Sequence, residues 1–285
     1  MLFRSICCAV LVSGVMSSAA MAQGGELVPE NTDRNKPVEI TADKTLEWHR
    51  NDKQYIARGQ AIAKQGVTEI HGEVLTADYR DQEEGSIDIW RLTAASDVQV
   101  VSSESTAYGD NLVYDIDKSV AVMKGDNLKM ISPEHIVTAK DSFEYWVNQG
   151  ILKAIGKAVA LSGDDRLEGD VLTAIFTEDA QGNRVLKSLK ADQNVVVKTP
   201  TETLIGDTGR YNAVTNKAVV EGNVKIVREK NVLEGVKAEV DLTTNISKMY
   251  GTTGSVQNSS AVEPSGDGRV RGVFYPSSNS NKNGQ

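Results

Sequence analysis

The sequence predicts an all-β fold: rolled antiparallel sheets built from about seven units of 30–37 residues, arranged in two triplets that repeat every 97 residues. Three observations predict it. Nearly the same strand is written twice, as IHGEVLTADY at 70–79 and as LEGDVLTAIF at 167–176. Apolar and polar residues alternate with period two in segments of 6–10 residues, split by turn clusters such as HRND, RDQEEG, DIDKS and EDAQGN. No stretch sustains helical spacing for three turns, so helix content should be small.

The elements follow in order. The chain opens MLFRSICCAVLVSGVMSSAAMAQ, with Arg4 as a positive n-region, an apolar run from Ile6 to Met16 and a small-x-small site at Ala20-Met21-Ala22. This is a signal peptide pattern with cleavage expected after Ala22, and the run is too short to span a bilayer. Residues 23–36 are a leader, 37–255 the repeated β domain, and 256–285 a polar tail rich in Ser, Asn, Gly and Pro that should be mostly disordered. Within that tail RVRGVFYP stands out, either as a docking motif or as a closing strand.

Seven first anchors mark the units: Ala42, Gly72, Gly109, Ala139, Gly169, Gly206 and Gly235, spaced 30, 37, 30, 30, 37 and 29 residues apart. Second-anchor glycines at 59, 125, 156 and 222 lie 16 or 17 residues after the first. The long units are the second and the fifth, and their insertions fall in the same slot of each triplet, as an internal duplication would place them. In IHGEVLTADY the apolar phase flips at the glycine: Ile70 and Gly72 share one phase, and Leu75, Ala77 and Tyr79 the other. A strand keeps its core through such a flip only by a bulge or bend, where glycine is the usual residue. The units anchored on Ala42 and Ala139 instead keep one phase to Leu46 and Trp48, and to Phe143 and Tyr145. Bent strands repeated at a fixed period roll into a tube or a V-shaped trough whose core becomes continuous only by stacking.

The expected interior lining runs through Leu46, Trp48 and Ile56 in the first unit, then Ile70, Leu75, Leu92 and Val98 in the second. It continues with Leu112, Tyr114, Phe143 and Ile155, then Leu172, Phe176, Leu189 and Val195, and ends with Tyr211, Val224 and Ile226. Plain core is the alternative for each. With few aromatics, at 5% of the chain, such a trough has room for acyl chains. At about 0.8 kcal/mol per buried methylene, a twelve-carbon chain would gain roughly 9 kcal/mol gross, before ordering costs. An open roll also leaves two edge strands, one around Val38 and Ile40 and the other around Met249 and Tyr250. Unpaired edges invite strand addition, and pairing of first edge with last edge is head-to-tail.

Other chemistry is not signalled. The two cysteines, Cys7 and Cys8, lie in the signal segment, which leaves the mature chain without thiol or disulfide chemistry and suits a bacterial periplasm. Net charge is −8, or −9 once Arg4 is lost, with no Lys/Arg cluster, which argues against a nucleic-acid partner. His49, His71 and His135 fall in different slots with no ligand spacing, so neither a metal nor another cofactor is expected. The acids after the anchors (Asp43, Glu73, Asp110, Asp170 and Asp207) recur, and a recurring residue serves the repeat rather than a single catalytic site. An enzyme, such as a polysaccharide-cleaving β-solenoid, would need one singular pair of close carboxylates.

The opening KPVEITADKTLEW, the unit I-x-G-[DE]-x-L-x-[AY]-x-Y and the return [KE]-G-[DN]-V resemble the OstA-like domain of periplasmic lipopolysaccharide-transport proteins, LptA most closely. The resemblance spans about 37–255. It implies a β-jellyroll whose apolar interior holds the acyl chains of lipopolysaccharide or lipid A, without catalysis. It also implies head-to-tail assembly between an LptC-like inner-membrane protein and an LptD-like outer-membrane protein. The chain departs from the simplest members in its second triplet and its long polar tail. The competing reading is a structural β-roll with a dry core that binds proteins or glycans at an edge or surface.

Overall fold

The computed structural model describes residues 36–83, 86–180, 184–244, 246–252 and 269–275. The signal segment, nearly all of the leader and most of the polar tail lie outside these residues. The described chain is one antiparallel sheet. Its first copy comprises β1 (Glu39–Thr41), β2 (Thr45–His49), β3 (Gln54–Gln65), β4 (Thr68–Asp81), β5 (Ile87–Val101), β6 (Thr106–Asp115), β7 (Val120–Lys124) and β8 (Leu128–Ile131). The second comprises β9 (Ile136–Ala139), β10 (Ser142–Trp146), β11 (Ile151–Ser162), β12 (Asp165–Glu178), β13 (Arg184–Lys198), β14 (Thr203–Asn212) and β15 (Lys217–Arg228). Then follow β16 (Asn231–Asp241), β17 (Ile246–Tyr250) and β18 (Arg271–Val273). The duplication is exact in strand boundaries: β3, β4, β5 and β6 recur as β11, β12, β13 and β14 with both ends shifted by 97 residues. The all-β rolled fold expected from the repeats is the fold observed.

The long strands share a register shift at one level, and these shifts line up into a crease that divides the sheet into two wings; β4/β5 and β12/β13 carry a second shift, at Asp78/Tyr79 and Ile175/Phe176. The ladder register shifts at the crease between successive strands, at Arg58/Ala61, His71/Val74, Ala95/Val98, Ile155/Ala158, Glu168/Val171, Asp192/Val195, Ile205/Thr208 and Glu221/Val224. On the returning strands two consecutive residues adopt positive φ: Gly59-Gln60, Ser96-Asp97, Gly156-Lys157, Gln193-Asn194 and Gly222-Asn223. The bulged strands keep one side-chain parity, as Ala57, Ala61 and Ala63 of β3 show, while β4 between two of them changes parity without a bulge of its own, so Ile70, Leu75, Ala77 and Tyr79 are all buried. The recurring acids hold the bulges. Asp207 Oδ2 accepts from Asn223 Nδ2 at 2.9 Å, Asp170 Oδ2 from Asn194 Nδ2 at 2.8 Å, and Glu73 Oε1 from Gln60 Nε2 at 3.0 Å. Asp110 Oδ2 accepts from the Asp126 backbone N–H at 3.0 Å.

Gly222 and Gly72, one from each set of anchors, therefore do different work. Gly222 has φ +81, and a Cβ there would lie 2.7 Å from Asp207 Cβ. Gly72 has ordinary φ, and its Cβ would meet nothing closer than 3.4 Å. Gly222→Ala is expected to lower stability by about 1–3 kcal/mol, the cost of a left-handed non-glycine residue plus a displaced neighbour. Gly72→Ala should stay within about 0.5 kcal/mol of the parent. Denaturant midpoints of the two variants check both expectations.

Because directly opposed residues share a face, the register defines rows that cross the whole sheet. In the first wing Ile40, Ala63, Ile70, Val100, Ala107, Met130, Val137, Ala160, Leu167, Val197, Leu204, Ile226 and Leu233 form one inner row. In the second wing an inner row runs Leu46, Ala57, Leu75, Ala94, Leu112, Met123, Phe143, Ala154, Leu172, Ala191, Gly209, Val220, Ala238 and Met249. Residues of both wings pack into one core cluster from Ala57 to Val195. The pairing of β7 with β10, and of β8 with β9, carries the sheet from the first copy into the second without a break.

Candidate functional site

Most of the expected interior residues do face the interior. Ile70, Leu75, Leu92, Val98, Leu112, Tyr114, Phe143, Leu172, Val195, Val224 and Ile226 are buried. Phe176 packs partly buried against the main cluster. Leu189 and Tyr211, which oppose one another on β13 and β14, are inner-row residues that stay half-buried. Leu46 and Trp48 also belong to inner rows, opposite Ala57 and Tyr55, yet they are 57% and 50% exposed because the sheet ends there. Two expectations fail. Ile56 lies between Glu47 and Thr76, and Ile155 between Ser142 and Val171, all on the outer face. The inner positions beside them are alanines, Ala57 and Ala154. Ranking by apolar size picks the isoleucine, whereas the packing needs a small residue between Leu46 and Leu75, or between Phe143 and Leu172.

The interior is not uniform. In the first copy, large residues at Leu75, Leu112 and Met123, with Ala57 and Ala94 between the leucines, fill the second-wing row, and Phe143 continues it across the seam; all four large side chains are at most 2% exposed. In the second copy the row reads Ala191, Gly209, Val220 and Ala238, four small residues in succession. Gly209 stands 97 residues after Leu112, and Val220 stands 97 after Met123. The missing side chains leave a recess of about 80 Å³ lined by Leu167, Leu189, Ala191, Val195, Val197, Leu204, Tyr211, Val220 and Val240, with Thr199, Glu202 and Arg210 among its polar residues. It lies where the main core cluster stops, at Ala191 and Val195, and before a separate small cluster of Val220, Val224 and Ala238 begins. At about 30 Å³ per water the recess has room for two or three, so an acyl chain would have to part the wings further. Tyr211 supplies a polar tip: its hydroxyl donates to Asn216 Oδ1 at 3.0 Å, and burial pushes the phenol pKa up. The small residues of the recess were not among the expected site residues. The signal that finds them is the difference between the copies at one position, Leu112 against Gly209.

Residues 39–141 match the family described as LptA/(LptD N-terminal domain) LPS transport protein. This segment is thus similar to an LptA/LptD N-terminal domain over 103 of the 285 residues. The match takes in the first copy, β1 to β8, and the strand β9 that opens the second. Among solved structures that resemble the chain is that of LptH from Pseudomonas aeruginosa, described as the LptA homologous periplasmic component of the conserved lipopolysaccharide transport device. It is 16% identical, covers 86% of this chain and 99% of its own, and has a TM-score of 0.22. No curated protein matches the chain.

The sheet has two ends. At the first, β1 and β2 pair with β3 alone. Ile40 sits on the inner row opposite Ala63, and Val38 precedes β1 without entering the ladder. Trp48 stacks on Tyr55 with ring centroids 5.6 Å apart, and its Nε1 donates to the Tyr79 hydroxyl at 2.8 Å. The Arg50 guanidinium lies 4.1 Å from the centre of the indole ring. At the other end β17 and β18 both pair with β16. Met249 faces inward against the small cluster, while Tyr250 faces outward and its hydroxyl donates to Glu239 Oε2 at 2.8 Å. Lys237 and this hydroxyl together hold the Glu239 carboxyl below its usual pKa, and the same bond raises that of the Tyr250 phenol. Of the two readings open for RVRGVFYP, the closing strand is the one seen: Arg271–Val273 forms β18.

Proposed function

We propose that the chain is a periplasmic lipopolysaccharide-binding protein of the route from the inner to the outer membrane, and that acyl chains enter the under-filled interior of its second copy. The observation that carries this reading is the apolar recess at Gly209 and Val220, in a sheet whose first copy matches the LptA/LptD N-terminal family model. The signal-peptide pattern supports export. The two free edges would receive an LptC-like inner-membrane protein, an LptD-like outer-membrane protein or further copies of the chain, joined head to tail. The reading requires no chemical step, only binding and release.

Photo-crosslinking residues placed at Leu189 and Tyr211 should capture lipopolysaccharide in cells, and those at the outward Lys190 and Ile155 should not. Capture from the outward positions alone would sink the interior-binding reading. The densely packed first copy favours a second reading for that half, a dry structural roll. A crosslinker at Leu92, the counterpart of Leu189, should therefore capture less lipid than one at Leu189.

A further inference from the structure

We infer that residues 271–273 are the second half of the sheet's terminal strand, and that they complete a two-winged edge able to receive β1 and β2 of a second copy in a defined register. The inference rests on the head-to-tail reading above and names the element that makes it possible. Every long strand crosses the crease, and those that are interrupted there, β1/β2, β7/β8 and β9/β10, supply one piece to each wing. After β16 the chain lays β17 on the second wing, opposite Lys237–Asp241, and returns as β18 on the first wing, opposite Val232–Glu234. Both run antiparallel to β16, so β17 and β18 occupy the two halves of one strand position, with residues 251–270 between them in sequence.

Without β18 the edge would be stepped. A strand docked beyond β17 lies two strand spacings from β16, about 9.5 Å, too far to pair with its first-wing half. With β18 in place both wings end flush. Counting each interrupted pair as one, the 18 elements make 14 strands, 18 − 4. An even number brings β1/β2 of the next copy in antiparallel, with each wing meeting its own kind.

The rows then set the register. Continuing them places Met249 opposite Leu46 of the second copy, and Lys248 opposite its Glu47. Gly272 falls opposite its Ile40. Leu46, 57% exposed in the single chain, gains an apolar partner, and the outer face gains an opposite-charge pair.

The test uses the chain from residue 23 onward, which contains no cysteine. Lys248→Cys in one protein and Glu47→Cys in another should trap a disulfide on mixing, because opposed outer-face residues lie within disulfide reach. In a chain ending at Thr252 the trapping should fall about tenfold or more. A separate variant, Glu234→Cys with Arg271→Cys, locks β18 onto β16 and should self-associate at least as well as the parent by sedimentation. If the shortened chain traps as well as the full one, or if the locked chain cannot associate, the role given to β18 is wrong while head-to-tail joining stands. If the full-length pair does not trap at all, head-to-tail joining itself fails.

Discussion

Gly209→Leu is expected to weaken lipid A binding about tenfold or more while leaving the protein folded. The first copy shows why the fold should tolerate it. Leucine already occupies the equivalent position at Leu112, 1% exposed, in the same row of the same strand plan. The backbone at Gly209 carries no positive φ, and a Cβ there would meet only Val195 Cγ1 at 3.3 Å, then Ala191 and Val220 near 3.8–3.9 Å. The rest of a leucine would project into the recess, which adds apolar contact and removes the space a guest would use. Some strain remains, because Val220 has not been matched to it, and overpacking of this kind costs about 1–3 kcal/mol. Gly209→Ala should bind nearly as the parent does, since one methyl leaves most of the recess open. The reciprocal change, Leu112→Ala, should cost about 2–5 kcal/mol of stability, as truncation of a packed leucine does. Fluorescent lipid A displacement and a denaturant titration on each variant separate the two effects. Parent-like binding by a folded Gly209→Leu protein would place the lipid elsewhere.

Much of the fold could be read from the repeats, because each repeat states the same physical requirement several times. The recurring anchors predict a repeated wall unit, and the parity change at the glycine of IHGEVLTADY predicts the phase change seen in β4. The recurrence of acids after the anchors has a structural counterpart: Glu73, Asp170 and Asp207 brace bulges, and Asp110 holds the break between β7 and β8. Face assignment was less legible at Ile56 and Ile155. There the inner residue is alanine, and a β-branched residue outside satisfies strand propensity without being core. The recess escaped for a related reason. An interior is defined by what neighbouring rows put beside each other, and Gly209, Val220 and Ala238 come from three separate strands. The pairing of β18 depends on contact across nearly forty residues of chain, which no local pattern encodes. Its island of apolar residues was visible; its partner, Val232–Glu234, was not.

Phe143→Ala is expected to lower stability by about 3–5 kcal/mol, the cost of deleting a fully enclosed phenylalanine. Phe143 is 0% exposed and sits between Met123 of β7 and Ala154 of β11. That is the seam at which the last strand of the first copy meets the first strands of the second. Two independent copies would each need a closed core, and the seam would then be a surface contact whose loss neither would feel strongly. The structure shows instead one inner row and one main cluster running through it from Ala57 to Val195. The loss should therefore lower the whole transition. Fluorescence reports on the first copy through Trp48 and Trp90 and on the seam through Trp146 of β10, and far-UV circular dichroism reports on strands throughout. Their guanidinium curves should coincide in the parent and shift together in Phe143→Ala, as a single cooperative unit requires. Two separated transitions in the parent, with only one displaced by the substitution, would mean that the duplicated copies fold as separate bodies.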